Sequence, residues 1–148
     1  MEFILLLLTL VVGGIAGLIV AHYSNEELKT GKRFFMFIQP LLMLVIMVVV
    51  AAYSDIAFAV VLVLVFLSAL LINKEIYNFM LLGVVLALVN EGLLAIVASI
   101  VLLYFLINSA LLYQHSMELK EKKIPFFTKT LLVKYILFLI LALIGYFI

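Results

Sequence analysis

Polar side chains able to do chemistry are few in this chain, and most sit where an apolar run meets a charged break. His22 closes the first apolar run, Gln39 precedes Pro40 one turn into the second, Asn73 and Asn78 flank Lys74-Glu75, and Tyr104, Asn108 and His115 fall near one face of a later run. Amides, imidazoles and a phenol recognise ligands by hydrogen bonding, so His22, Gln39, Asn73, Asn78, Asn108 and His115 are the candidate lining of a shallow polar vestibule. Such a recess would suit a lipid headgroup or a small polar ligand. With Glu26, Glu27, Glu75 and Glu118 nearby, the two histidines could also form a hard-metal or hydrolytic site, but no metal-ligand spacing is present. No metal and no cofactor is expected. Thiol chemistry is excluded by the absence of cysteine, and no HExxH, GxSxG, paired-aspartate or phosphate-loop pattern occurs.

Glu91 is the outlying candidate. If the apolar run before it is too short to cross a membrane, its carboxyl lies in the apolar layer, with a raised pKa, and could exchange protons. If the turn reaches water, Glu91 is a solvated turn residue, which is the simpler reading and also the one for Asp55. Lys134 lies just inside the last run, close enough to its end to snorkel, and Asn108 is expected to hydrogen-bond across helices. The interiors are otherwise almost free of ionisable groups. Proton relays, ion-coupled carriers and intramembrane hydrolases place such groups in the bundle interior, so no catalytic residue is expected.

The elements that must position these residues follow from composition. With 70% hydrophobic and 11% charged residues and a mean hydropathy of +1.47, the chain belongs among integral membrane proteins. Its 148 residues leave no room for a soluble domain beside several spans of about 20 residues each. Phe3 to Ala21 reads as a retained span and not a signal peptide, because no positive charge precedes it and no small-x-small site closes it. Two further stretches, Phe35 to Ile72 and Ile76 to Tyr113, each run about 38 residues, nearly twice one crossing. Tyr53-Ser54-Asp55 and Asn90-Glu91-Gly92 interrupt them with turn-forming residues, which makes each a tight hairpin.

Charge supports that division. All nine basic residues can then share one side, which the bias of Lys and Arg toward cytoplasmic loops makes the cytosol. The expectation is an all-α bundle of six spans, about 3–21, 35–53, 56–72, 76–89, 93–113 and 131–148, with both termini outside a cell membrane. The fourth is the weak one, roughly 21 Å long against a core about 30 Å thick.

Between spans, Ser24 and Glu27 have capping-box spacing and Gly31 offers a C-terminal cap, predicting a short interfacial helix over 25–30. Pro125 is expected to break a helix extended by Glu118 and Lys122. Lys32-Arg33 and Lys122-Lys123, each near a Phe pair, read as lipid-headgroup anchors. Gly13 with Gly17, and Ala95 with Ser99, have the small-x-x-x-small spacing that lets helices approach closely, inside the chain first and in a homodimer second. A net charge of +1 without a basic tail argues against nucleic acid, leaving membrane lipids and other membrane subunits as partners. The expected function is a non-catalytic, lipid-contacting scaffold or accessory subunit of a membrane complex. A small transporter or flippase using the cytosolic vestibule comes next, and an intramembrane lipid-modifying enzyme third.

Overall fold

The computed structural model describes residues 2–53, 75–118 and 123–147, of which 25–29, 75, 116–118 and 123–131 are described in their backbone alone. All the secondary structure described is helical: α1 (Glu2–Tyr23), α2 (Asn25–Ala52), α3 (Glu75–Leu88), α4 (Glu91–Glu118) and α5 (Lys123–Phe147). Three stretches, Glu2–Tyr23, Thr30–Ala52 and Glu91–His115, are long and apolar enough to cross a membrane; Ile76–Leu88 and Leu132–Phe147 are apolar but shorter. The expected span 56–72 lies outside the described residues.

Helix boundaries depart from the apolar runs in a consistent way. Instead of a short interfacial helix followed by a span, α2 is one helix of 28 residues, because Glu, Leu, Lys and Arg propagate a helix well in or out of the bilayer. Gly31 is therefore interior to α2 and caps nothing. Ser24 alone separates α1 from α2; its amide still bonds the Val20 carbonyl at 2.9 Å, and its side chain makes no capping bond. Pro40 stays within α2, at the cost of the bond that its missing N–H would have given the Met36 carbonyl. Pro125 does not interrupt α5, and the helix expected through Lys122 ahead of it runs outside the described residues. The proline lies in the first turn of α5, where backbone N–H groups have no helical partner in any case.

Residues 76–113 form two helices. The chain reverses over Val89 and Asn90, and the Asn90 carbonyl accepts from the amides of Leu93 and Leu94 to start α4. α4 is the hub. α1 runs parallel to it, with Gly13 against Leu102, Gly17 against Leu106 and His22 against Tyr113. α2 runs antiparallel, pairing Gln39 with Tyr104 and placing Phe35 beside Ala110 and Tyr113. α3 and α5 lie parallel to each other, with Phe79 beside Tyr135 and Gly83 beside Phe138 and Ala142.

Packing selects the faces that hydropathy leaves ambiguous. In α1 the buried residues Phe3, Leu7, Leu10, Gly14, Gly17 and Ala21 recur in alternating steps of four and three, the seam of a left-handed helix pair. The outer faces are as apolar as the core, with Leu5, Leu8, Val12 and Ile19 of α1 and Phe37, Leu44 and Val48 of α2 all exposed. Continuous apolar surface on this scale suits lipid. The short helix α3 is enclosed on most sides, burying Phe79, Leu81, Leu82, Gly83, Val85 and Leu86. Protein contact thus replaces much of the lipid contact that a 14-residue helix could not match.

Candidate functional site, a polar layer in the bundle

The core changes character along its length. Toward the end marked by Glu2 and Glu91 it is mostly aliphatic, built from Leu7, Leu10, Leu82, Val85, Val97, Val101 and Ala142, with Phe3 stacked on Tyr146 at its edge. Toward the end marked by His22 and His115, the second half of α4 carries Tyr104, Asn108, Ser109, Tyr113 and Gln114, all buried. Helical spacing puts Tyr104 and Asn108 on one face and Ser109 and Tyr113 on another.

Each neighbouring helix contributes to this layer. From α2, Gln39 Nε2 donates to the Tyr104 hydroxyl at 3.2 Å. From α1, His22 Nδ1 and the Tyr113 hydroxyl share a hydrogen bond of 2.9 Å, with the rings edge to face. Ser109 Oγ donates to the Gly14 carbonyl at 2.8 Å. That leaves its oxygen to accept from the Tyr135 hydroxyl of α5, 3.3 Å away, so one serine ties three helices together. Gly14 is required there, since a Cβ would collide with the Tyr135 hydroxyl.

Phe79 of α3 organises the aromatic part. Its ring stacks on Phe105 at 5.0 Å and meets Tyr104 and Tyr135 edge-on at 5.9 and 5.6 Å. Over the same ring, at 5.5 Å from its centroid, lies the ammonium of Lys134, a cation–π contact of the kind that strengthens when water is excluded. Lys134 is only 3% exposed. The expectation of a snorkelling lysine is thus corrected: although Lys134 is near the start of the apolar part of α5, its side chain is enclosed by its neighbours, with the ammonium over a ring and not reaching outward.

Four buried polar atoms of the layer have no hydrogen-bond partner: Asn78 Oδ1, Asn108 Nδ2 and both head atoms of Gln114. Asn108 and Gln114 are 3% and 4% exposed. The Asn108 amino group thus lacks the cross-helix bond expected of it. An unsatisfied buried group costs about 1–3 kcal/mol, and native proteins rarely keep one without water, an ion or a ligand to satisfy it.

Of the expected vestibule residues, Gln39, Asn78 and Asn108 belong to this layer and His22 stands at its rim, while His115 is exposed and Asn73 lies outside the described residues. Glu91 is exposed on the protein surface, in the first turn of α4. Its side chain faces an open cavity of about 640 Å³ that Glu2, Val89 and Tyr146 also line. Arg33 is exposed and Lys32 half-buried at the polar end of α2; Lys123 opens α5, and Lys122 lies outside the described residues. Gly13 and Gly17 seat α1 on α4, where a Cβ at Gly17 would come within 3.1 Å of the Leu106 Cα. Ala95 and Ser99 are exposed, and Ser99 Oγ bonds back to the Ala95 carbonyl at 2.8 Å.

Sequence reasoning missed the burial of Lys134, and it missed Gln114 and the contact of Gly83 with Gly145's helix. Gly83 and Ala87 have the same small-x-x-x-small spacing as Gly13 and Gly17 and were open to the same argument. Among the described residues, no group of three or more side chains could hold a metal ion. Compared with known proteins, the chain matches no family model, no curated protein and no solved structure.

Proposed function

We propose that this is a multi-pass protein of the cell membrane that holds a polar headgroup or similar ligand in the polar layer at the cytosolic end of its bundle, without catalysing a reaction on it. The observation that carries the reading is a pair of buried amides: the Asn108 amino group and both head atoms of Gln114 lack partners in a layer otherwise knit by hydrogen bonds. A ligand with donors and acceptors would satisfy them. A scaffold lacking ionisable groups in its spans is the weaker alternative, because Lys134 is buried with its ammonium over the Phe79 ring and charge within a span is characteristically functional.

A six-span architecture with both termini outside is supported by helix direction. α2 and α3 both run antiparallel to α4, and two consecutive helices with the same direction call for a return crossing between them. Six spans place eight of the nine basic residues on one side, all but Lys134, as the charge bias of cytosolic loops favours.

Lipid retention tests the ligand reading. Purified from bilayers and examined by native mass spectrometry, the wild-type chain is expected to keep bound lipid that Asn108→Leu and Gln114→Leu lose. Equal retention by all three proteins would reject it.

A further inference from the structure

We infer that the cavity at the Glu2–Glu91 end of the bundle binds an organic ammonium group carried on a short apolar body, at a site separate from the polar layer and independent of the reading given to it. The cavity measures about 640 Å³ and lies where the first turns of α1 and α4 meet the last turns of α3 and α5. Glu2 and Glu91 are its charged side chains, Leu86 and Leu94 supply apolar surface, and Phe3 and Tyr146 supply the rings. Those rings come from α1 and α5 and stack at 4.4 Å with their planes 7° apart, so the aromatic wall is a built surface. The volume is that of a small-molecule site, about 300–1,000 Å³, and far exceeds a single ion. Two carboxylates around one space repel each other unless a cation stands between them. An aromatic ring attracts an ammonium as well, and the leucines can receive the apolar body.

No basic side chain of the protein competes for this place. Lys29, Lys32 and Arg33 belong to the first half of α2, and Lys123, Lys129 and Lys134 to the first half of α5, both toward the opposite end. Lys74 directly precedes α3, and Lys120 and Lys122 fall in sequence between α4 and α5, whose adjoining ends are at that opposite end too. Residues 34–73 contain no Lys, Arg or His, so the stretch between α2 and α3 brings no cation to the cavity. An α-amino group at Met1 would neutralise one carboxylate and leave the other. A hard metal ion fits less well, since it takes about six oxygen ligands or more and among the described residues no three His, Cys, Asp or Glu come together. A zwitterionic headgroup would bring its phosphate beside the two carboxylates as a like charge.

The test uses the full chain in an uncharged maltoside detergent, titrated calorimetrically with hexyltrimethylammonium and, as control, with hexanesulfonate, which has the same alkyl chain and the opposite charge. Wild type is expected to bind the ammonium saturably, about tenfold or more tighter than the sulfonate, as one charged contact would give. Glu2→Gln together with Glu91→Gln, both at exposed positions, should weaken the ammonium about tenfold or more. Tyr146→Leu should weaken it about two- to fivefold, and Asn108→Leu, in the polar layer, should leave it unchanged. Equal binding of the two probes by wild type overturns the inference, as does equal ammonium binding by wild type and the double Gln variant. Calcium chloride binding where the ammonium does not would make this a metal site and overturn it too. The comparison of probes on wild type needs no variant to fold. Displacement of the probe by choline chloride identifies a soluble amine as the source, and displacement by short-chain phosphatidylcholine alone identifies a lipid headgroup; the ammonium inference holds in both cases.

Discussion

An amide whose amino group finds no acceptor destabilises the state in which it is buried, and Asn108 is in that position. Leucine has nearly the same shape without the unmet hydrogen bond, so Asn108→Leu is expected to raise the unfolding free energy of the lipid-free protein by roughly 1–3 kcal/mol. Urea or thermal unfolding in detergent would measure it. A loss of stability would instead mean that the amide holds the core together. The variant should gain stability and lose ligand together, a trade-off common at functional sites. Residue type and position along the chain were enough to mark His22, Gln39, Asn78 and Asn108 as polar groups near one end. They were not enough for Lys134, because its burial depends on which helix packs over it, and that helix is α3 with Phe79. α5 begins eight residues before the apolar run expected at 131, within a charged segment that hydropathy reads as a connection.

At the scale of the helix, glycine decides which neighbours can touch. A Cβ at Gly83 would sit 2.6 Å from the Phe138 carbonyl, and one at Gly145 2.6 Å from the Ala87 Cβ, so α3 and α5 meet nearly backbone to backbone. Gly83→Leu is expected to cost about 1–3 kcal/mol or more by overpacking. Ala95→Leu, on an exposed face of α4, should change stability by no more than about 0.5 kcal/mol. Comparing the two unfolding curves checks the pair, and an equal loss would show that the Ala95 face is also packed in the membrane. The same spacing motif stands at Gly13/Gly17, where it seats a helix, and at Ala95/Ser99, where among the described contacts it does not. Sequence does not separate the two cases because these helices are apolar all round, and a hydrophobic stripe points inward only where the opposite face is polar.

For the molecule as a whole, the absence of native cysteine makes sidedness directly measurable. Single cysteines replacing Asn25, Asp55, Lys74, Glu91 and Lys120, probed with a membrane-impermeant thiol reagent on intact cells, should label from outside at 55 and 91 only. Labelling at 25 or 120 from outside would overturn the orientation, and loss of outside labelling at 55 would overturn the six-span count. The helical class and the reversal near Asn90 were legible because they depend on composition and local turn chemistry. The direction of each helix and the polar half of the core were not, since both depend on which helices meet. Short α3 has a consequence for biosynthesis. Its apolar part, Ile76–Leu88, is well below the roughly 20 residues that partition into a bilayer unaided, so under the six-span proposal it enters as one arm of a hairpin with α4. The segment synthesised earlier then waits for the one synthesised later, and the two insert as a unit.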